Sequence, residues 1–215
     1  MKRITVFAGH YGSGKTNIAV NYAVKLKKEG KEISIADLDI VNPYFRTKDS
    51  AKILEKEGIE LISLPFANSN VDLPALPSEV YGLMQRLDRN VIIDLGGDER
   101  GALAMGRFTP YIVKEDNYDM FFVVNFYRPL TRDAHEALEA FKEIQAASGL
   151  KFTGIVNNSN LGADTTAQDI LSTNKKAEEL CALTGLPLVF TTVDEKNKGV
   201  DAPKKFVLRL QEKLF

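Results

Sequence analysis

Hydrophobic positions in this chain fall into short solid runs separated by longer amphipathic stretches. Residues 4–8, 33–37, 59–64, 91–95, 120–125, 152–157 and 188–191 are apolar at most positions, the pattern of strands buried on both faces of a parallel sheet. Between them, apolar residues return at helical spacing. The clearest case is 132–148, where Ala134, Leu138, Phe141 and Ile144 form one stripe, Thr131 is placed to cap the start and Gly149 follows the end. Strand runs alternating with helices predict an α/β three-layer sandwich around a mostly parallel sheet. Val207, Leu210 and Leu214 also recur at helical spacing, which predicts a last helix packed on the core.

In an open sheet of this kind, the loops after the strands collect on one rim, where ligands bind. The first of these loops is the most specific. Gly9-His10-Tyr11-Gly12-Ser13-Gly14-Lys15-Thr16 satisfies the G-x-x-x-x-G-K-[ST] phosphate-loop pattern between a strand run and a helix run. Small residues let the backbone wrap an anion with its N–H groups inward, and the following helix, beginning near Asn17, adds its positive end. Lys15 would reach the β- and γ-phosphates as a point charge. The Thr16 hydroxyl would ligate a Mg²⁺ that keeps most of its waters.

Two further loops carry acidic residues. Asp37-Leu38-Asp39-Ile40-Val41-Asn42 follows the second strand run with two carboxylates pointing the same way, and Asp94-Leu95-Gly96-Gly97 follows the fourth. Beside a phosphate loop, Asp94 would hold the Mg²⁺ through water, the N–H of Gly97 would sense the γ-phosphate, and Asp39 would orient the attacking water from within the metal's shell. Arg128 lies on the same rim. A surface salt bridge is the expectation for it, with stabilisation of transition-state charge as the alternative. The segment 64–78 contains Pro65, Pro74 and Pro77 and is long for a connection inside a compact domain.

Composition narrows the function classes. A length of 215 residues suits one nucleotide-binding domain over 1–215, and a net charge of −1 provides no basic footprint for nucleic acid. The single cysteine, Cys181, excludes an intramolecular disulfide and reads as a packing residue. No apolar run reaches membrane-spanning length and the start enters a strand directly, so the expected location is the cytoplasm. The lysines near the end of the first helix read as a solvated face that favours the helix dipole.

With these residues in place, the chain resembles the MinD/ParA branch of P-loop ATPases, which also includes cofactor-synthesis enzymes. The resemblance is carried by Gly9 to Thr16, by Asp37-x-Asp39-x-x-Asn42 as a first switch, by Asp94-x-x-Gly97 as a second, and by Gly154-Ile155-Val156-Asn157-Asn158 at a late strand. It implies ATP with Mg²⁺ as ligands, and Asn157 or Asn158 as an adenine contact. A guanine-reading Asn-Lys-x-Asp is absent there. Dimerising members carry a lysine directly after the first glycine of the loop, reaching the partner's nucleotide. This chain has His10 instead, which argues against a homodimer of that type.

The leading expectation is an ATP-hydrolysing switch read by a partner. A small-molecule ligase of the dethiobiotin synthetase or cobyrinic acid synthase type would use 42–46 and 64–78 as its pocket, and a scaffold without turnover is the third reading. The basic, apolar end from Lys204 to Phe215 is similar to a membrane-targeting helix, but core packing is the expectation for it.

Overall fold

The computed structural model describes residues 2–39, 50–63, 78–97 and 99–210. Asn42, the segments 43–46 and 64–77 and the terminal 211–215, all singled out above, lie outside the described residues. The strands are Ile4–Ala8 (β1), Ile33–Leu38 (β2), Glu60–Ser63 (β3), Asn90–Leu95 (β4), Tyr118–Val124 (β5), Gly154–Asn157 (β6), Leu188–Asp194 (β7) and Phe206–Leu208 (β8). They form one eight-stranded sheet in the order β3-β2-β4-β1-β5-β6-β7-β8, with every neighbouring pair parallel. The helices are Lys15–Lys28 (α1), Ala51–Lys56 (α2), Ser78–Gln85 (α3), Glu99–Gly106 (α4), Thr109–Glu115 (α5), Ala134–Ser148 (α6), Ala167–Ser172 (α7) and Asn174–Thr184 (α8).

Alternation along the strands explains the three layers. On β1, Ile4, Val6 and Ala8 join one buried cluster with Phe108, Ile112, Phe141, Ile144 and Leu180, whereas Phe7 turns to the other with Ile18, Ala19, Ala23 and Leu54. The first cluster lies under α3 to α6 and α8. The second lies under α1 and α2. Because neighbouring side chains on a strand point to opposite faces, a strand with helices on both sides must be apolar at nearly every position, which is why the strand runs were visible as solid blocks.

Two expectations about element ends are corrected. The cap of α6 is Asp133, whose carboxylate accepts from the backbone N–H groups of His135 and Glu136; these bonds, that from Glu136 first, hold the carboxyl below the usual range. Thr131 instead donates its hydroxyl to the Asn125 carbonyl at 2.8 Å. The stretch expected to open a final helix pairs as β8 with β7, Val193 against Val207. Its Val207 is exposed and its Phe206 and Leu208 are buried, a period of two that three residues are too short to announce in sequence.

Cys181 sits half-buried against the first cluster, and burial pushes its thiol up from the ordinary value, which suits packing. Among the described residues no helix is long and apolar enough to cross a membrane.

Candidate functional site

Parallel strands bring their carboxyl ends to one rim. Strand β1 lies between β4 and β5, and the chain departs from it toward β2 on one side and later reaches β5 on the other. The crevice at such a reversal of winding is where open α/β sheets bind ligands. The loop at 9–14 occupies it.

Close packing shapes this loop. A Cβ on Gly9 would lie 2.1 Å from the Val123 carbonyl oxygen of β5, so the chain leaves β1 pressed against its neighbour. Gly14 has φ +87°, which a side chain would strain, and a Cβ there would stand 2.2 Å from Nδ2 of Asn158. That left-handed turn aims the chain directly into α1, whose first residues Lys15 and Thr16 are buried. The Ser13 hydroxyl is buried with no hydrogen-bond partner among the described residues, an orphan polar atom in the wall of the loop.

The loop after β4 meets the phosphate loop face on. A Cβ on Gly97 would lie 2.7 Å from the Tyr11 amide nitrogen and 2.8 Å from Nζ of Lys15. The glycine backbone therefore abuts both the loop amide and the ammonium. Asp94 is fully buried on β4, in register with Phe7 on one side and Asp37 on the other. Asp39 is buried as well; its amide donates to Oδ1 of Asp37 at 3.0 Å, and its own Oδ1 lies 3.4 Å from where a Gly96 Cβ would be. Three segments distant in sequence thus converge, with Lys15, Asp37, Asp39 and Asp94 at one end of the sheet.

The remaining candidates divide. His10 is half-buried, with Nδ1 3.3 Å from the Tyr11 carbonyl, and its own carbonyl accepts from Lys15 at 3.4 Å. Asn17 accepts from Asn21 one turn on. Asn158 donates to the Ser13 carbonyl at 2.6 Å and accepts from the Thr192 hydroxyl, clipping the loop to β6 and β7. Asn157 turns into the core instead, where it donates to Thr173 and accepts from the amide and hydroxyl of Ser159.

Arg128 does not make the expected salt bridge with any described carboxylate. Its Nε donates to the Gly12 carbonyl at 3.1 Å, laying the side chain along the outside of the loop. Sequence placed Arg128 on the rim but gave no sign of this contact, because it depends on the path of the β5–α6 connection. The Asn158 clip was missed for the same reason.

The donor set fits a phosphate chain with a divalent cation. Loop amides and one ammonium converge with a hydroxyl and carboxylates at this end of the sheet. Among the described residues no three His, Cys, Asp or Glu side chains are grouped as a metal cage, and Mg²⁺ in phosphate sites is held chiefly by phosphate oxygens and water.

A family model described as the CobQ/CobB/MinD/ParA nucleotide binding domain matches residues 4–199. No curated protein matches the chain. Among solved structures, the cell division protein FtsY of Thermotoga maritima superposes with a TM-score of 0.64 at 18% identity, over 94% of this chain and 65% of that one. The Signal Recognition Particle 54 kDa protein of Aeropyrum pernix K1 in complex with GDP gives 0.58 at 17% identity, over 88% and 41%. The FtsY receptor of Elizabethkingia anophelis in complex with GDP gives 0.57 at 17%, over 94% and 60%. At these identities the likeness is one of fold, and the chain spans less than two thirds of each of these structures.

Proposed function

The chain belongs to the CobQ/CobB/MinD/ParA nucleotide-binding family, and from that premise we propose that it is a single-domain, Mg²⁺-dependent ATPase of the cytoplasm that acts as a nucleotide switch for a partner. The observation that carries this reading is the contact of the Gly97 backbone with Tyr11 N and Lys15 Nζ. A loop that touches both the phosphate-loop amide and its ammonium will sense whether a terminal phosphate is there, since an anion entering between them must be accommodated by both.

Lys15 and the amides of the loop bind the β- and γ-phosphates; Thr16 would hold a divalent cation directly and Asp94 through water, and such a cation, when bound, would offset the charge that develops in transfer. Asp39, held beside Gly96 by the β2 end, orients a water toward the terminal phosphate. The absence of Asn-Lys-x-Asp at 157–160 supports adenine over guanine, although two of the solved neighbours hold GDP. We assign the nucleoside contact to Asn158, whose amide joins the loop to the late strands, rather than to Asn157, which donates to Thr173.

Replacing Asp39 with Ala tests the assignment of chemistry. Nucleotide affinity measured by calorimetry is expected to stay within about threefold, while phosphate release falls by about 100-fold, the usual scale for removing a group that handles the nucleophile's proton or position. An unchanged rate of phosphate release would remove Asp39 from the reaction.

A further inference from the structure

The phosphate loop is gripped from behind by a cation to which the chemistry above gives no task. Arg128 Nε donates to the Gly12 carbonyl at 3.1 Å, and its Cδ and Nε lie 3.5 Å from where a Gly12 Cβ would be. The residue is exposed, and an exposed guanidinium ordinarily turns to water or to a carboxylate. Here it lies on a neutral carbonyl. Its starting point is fixed as well, because the Arg128 amide donates to the Asn125 carbonyl at 3.1 Å and its carbonyl accepts from the Thr131 amide at 3.3 Å. Within that turn Leu130 has φ +65°, a left-handed conformation disfavoured for any residue with a Cβ. Leu130 is 60% exposed, so packing does not account for its conformation; the turn that pins Arg128 does.

What the bond reaches is the seat of Lys15. In a planar trans peptide the N–H points opposite to the C=O. With the Gly12 carbonyl held outward, the Ser13 N–H faces inward and donates to the His10 carbonyl at 3.1 Å, a reversal that Gly12 makes at φ +75°. The same His10 carbonyl accepts from Lys15 Nζ at 3.4 Å. Arg128, the Gly12–Ser13 peptide, the His10 carbonyl and the Lys15 ammonium therefore form one chain of contacts from the outside of the loop to its cation. The next peptide is held in the same way: Asn158 takes the Ser13 carbonyl at 2.6 Å, which turns the Gly14 N–H inward.

We propose that Arg128 is a positioning residue for the phosphate chain: its Nε fixes the Gly12–Ser13 peptide, and through it the His10 carbonyl on which Lys15 rests, so that the loop is set before the ligand arrives. The inference rests on the nucleotide-binding reading above and adds to that site a residue from the same chain. A loop that already holds its binding geometry loses less conformational freedom on binding, and the saving appears as affinity. The bond carries the effect, not the charge. Glutamine and lysine separate the two, because glutamine Nε2 stands as many bonds from the backbone as arginine Nε and donates without charge, whereas lysine keeps the charge and has a methylene at that place.

Calorimetry on the full chain with Mg-ATP, and with Mg²⁺ and inorganic triphosphate, tests it beside a thermal melt. Arg128→Ala is expected to weaken both ligands by about tenfold, the scale of one hydrogen bond from a charged donor, and to move the melting temperature by no more than about 2 °C, as for an exposed residue. Arg128→Lys should lose as much. Arg128→Gln is expected to recover affinity to within about threefold of the unaltered protein. Unchanged affinity in Arg128→Ala overturns the proposal, and so does recovery by lysine that equals or exceeds recovery by glutamine, which would assign the effect to charge. A loss confined to Mg-ATP also overturns it, since the guanidinium would then act on the nucleoside, as does a melting temperature that falls in step with affinity across the three variants. Failure of both ligands to bind the unaltered protein would bring down the nucleotide reading itself, a distinguishable outcome.

Discussion

Lys15→Ala is expected to reduce affinity for Mg-ATP by at least about 100-fold and to leave the melting temperature essentially unchanged. The side chain is buried at the start of α1 with its ammonium beside Gly97 and the His10 carbonyl. Charge-assisted hydrogen bonds are worth about 1.5–3 kcal/mol each, and an ammonium spanning two phosphates makes at least two. Alanine is the best helix former, so α1 should start as before. Calorimetry against a thermal melt separates the two quantities, and retained affinity would defeat the assignment of the loop.

Gly9→Ala should act in the opposite sense, on the fold first. The new Cβ would lie 2.1 Å from the Val123 carbonyl oxygen, and both partners are backbone, so no rotamer change relieves the clash. Forced overpacking of this kind costs about 3 kcal/mol or more. For a chain of this size that corresponds to a fall of roughly 10 °C in melting temperature. Gly82→Ala in α3 is the control: nothing lies within 4 Å of its Cβ position, and alanine there should be neutral or stabilising by up to about 1 kcal/mol. Equal melting temperatures for the two variants would contradict the close packing of β1 on β5.

Much of this architecture was legible because burial on both faces writes itself as unbroken apolar runs. Residues 4–8 and 91–95 match β1 and β4 closely for that reason. Where burial is one-sided or an element is brief, the pattern fails. The helical spacing of Val207, Leu210 and Leu214 predicts a helix opening at Phe206–Leu208, yet pairing with β7 decides its conformation. The α6 cap was misplaced by two residues because Thr131 and Asp133 are both good capping types, and the competing bond of Thr131 to Asn125 is a tertiary fact.

At the site, the phosphate-loop residues and Asp94 announced themselves through fixed spacing within single segments. Arg128 on Gly12 and Asn158 on Ser13 were not readable that way. Each joins residues more than a hundred positions apart. No spacing rule encodes that.

The amide of Asn158 has a thermodynamic consequence. One carboxamide ties the turn at Ser13 to Thr192 on β7, so the two halves of the cradle cannot relax independently. Inorganic triphosphate and adenosine, offered as separate fragments, should therefore help each other bind, and Asn158→Ala should abolish that cooperativity and weaken adenosine's own binding while sparing that of triphosphate.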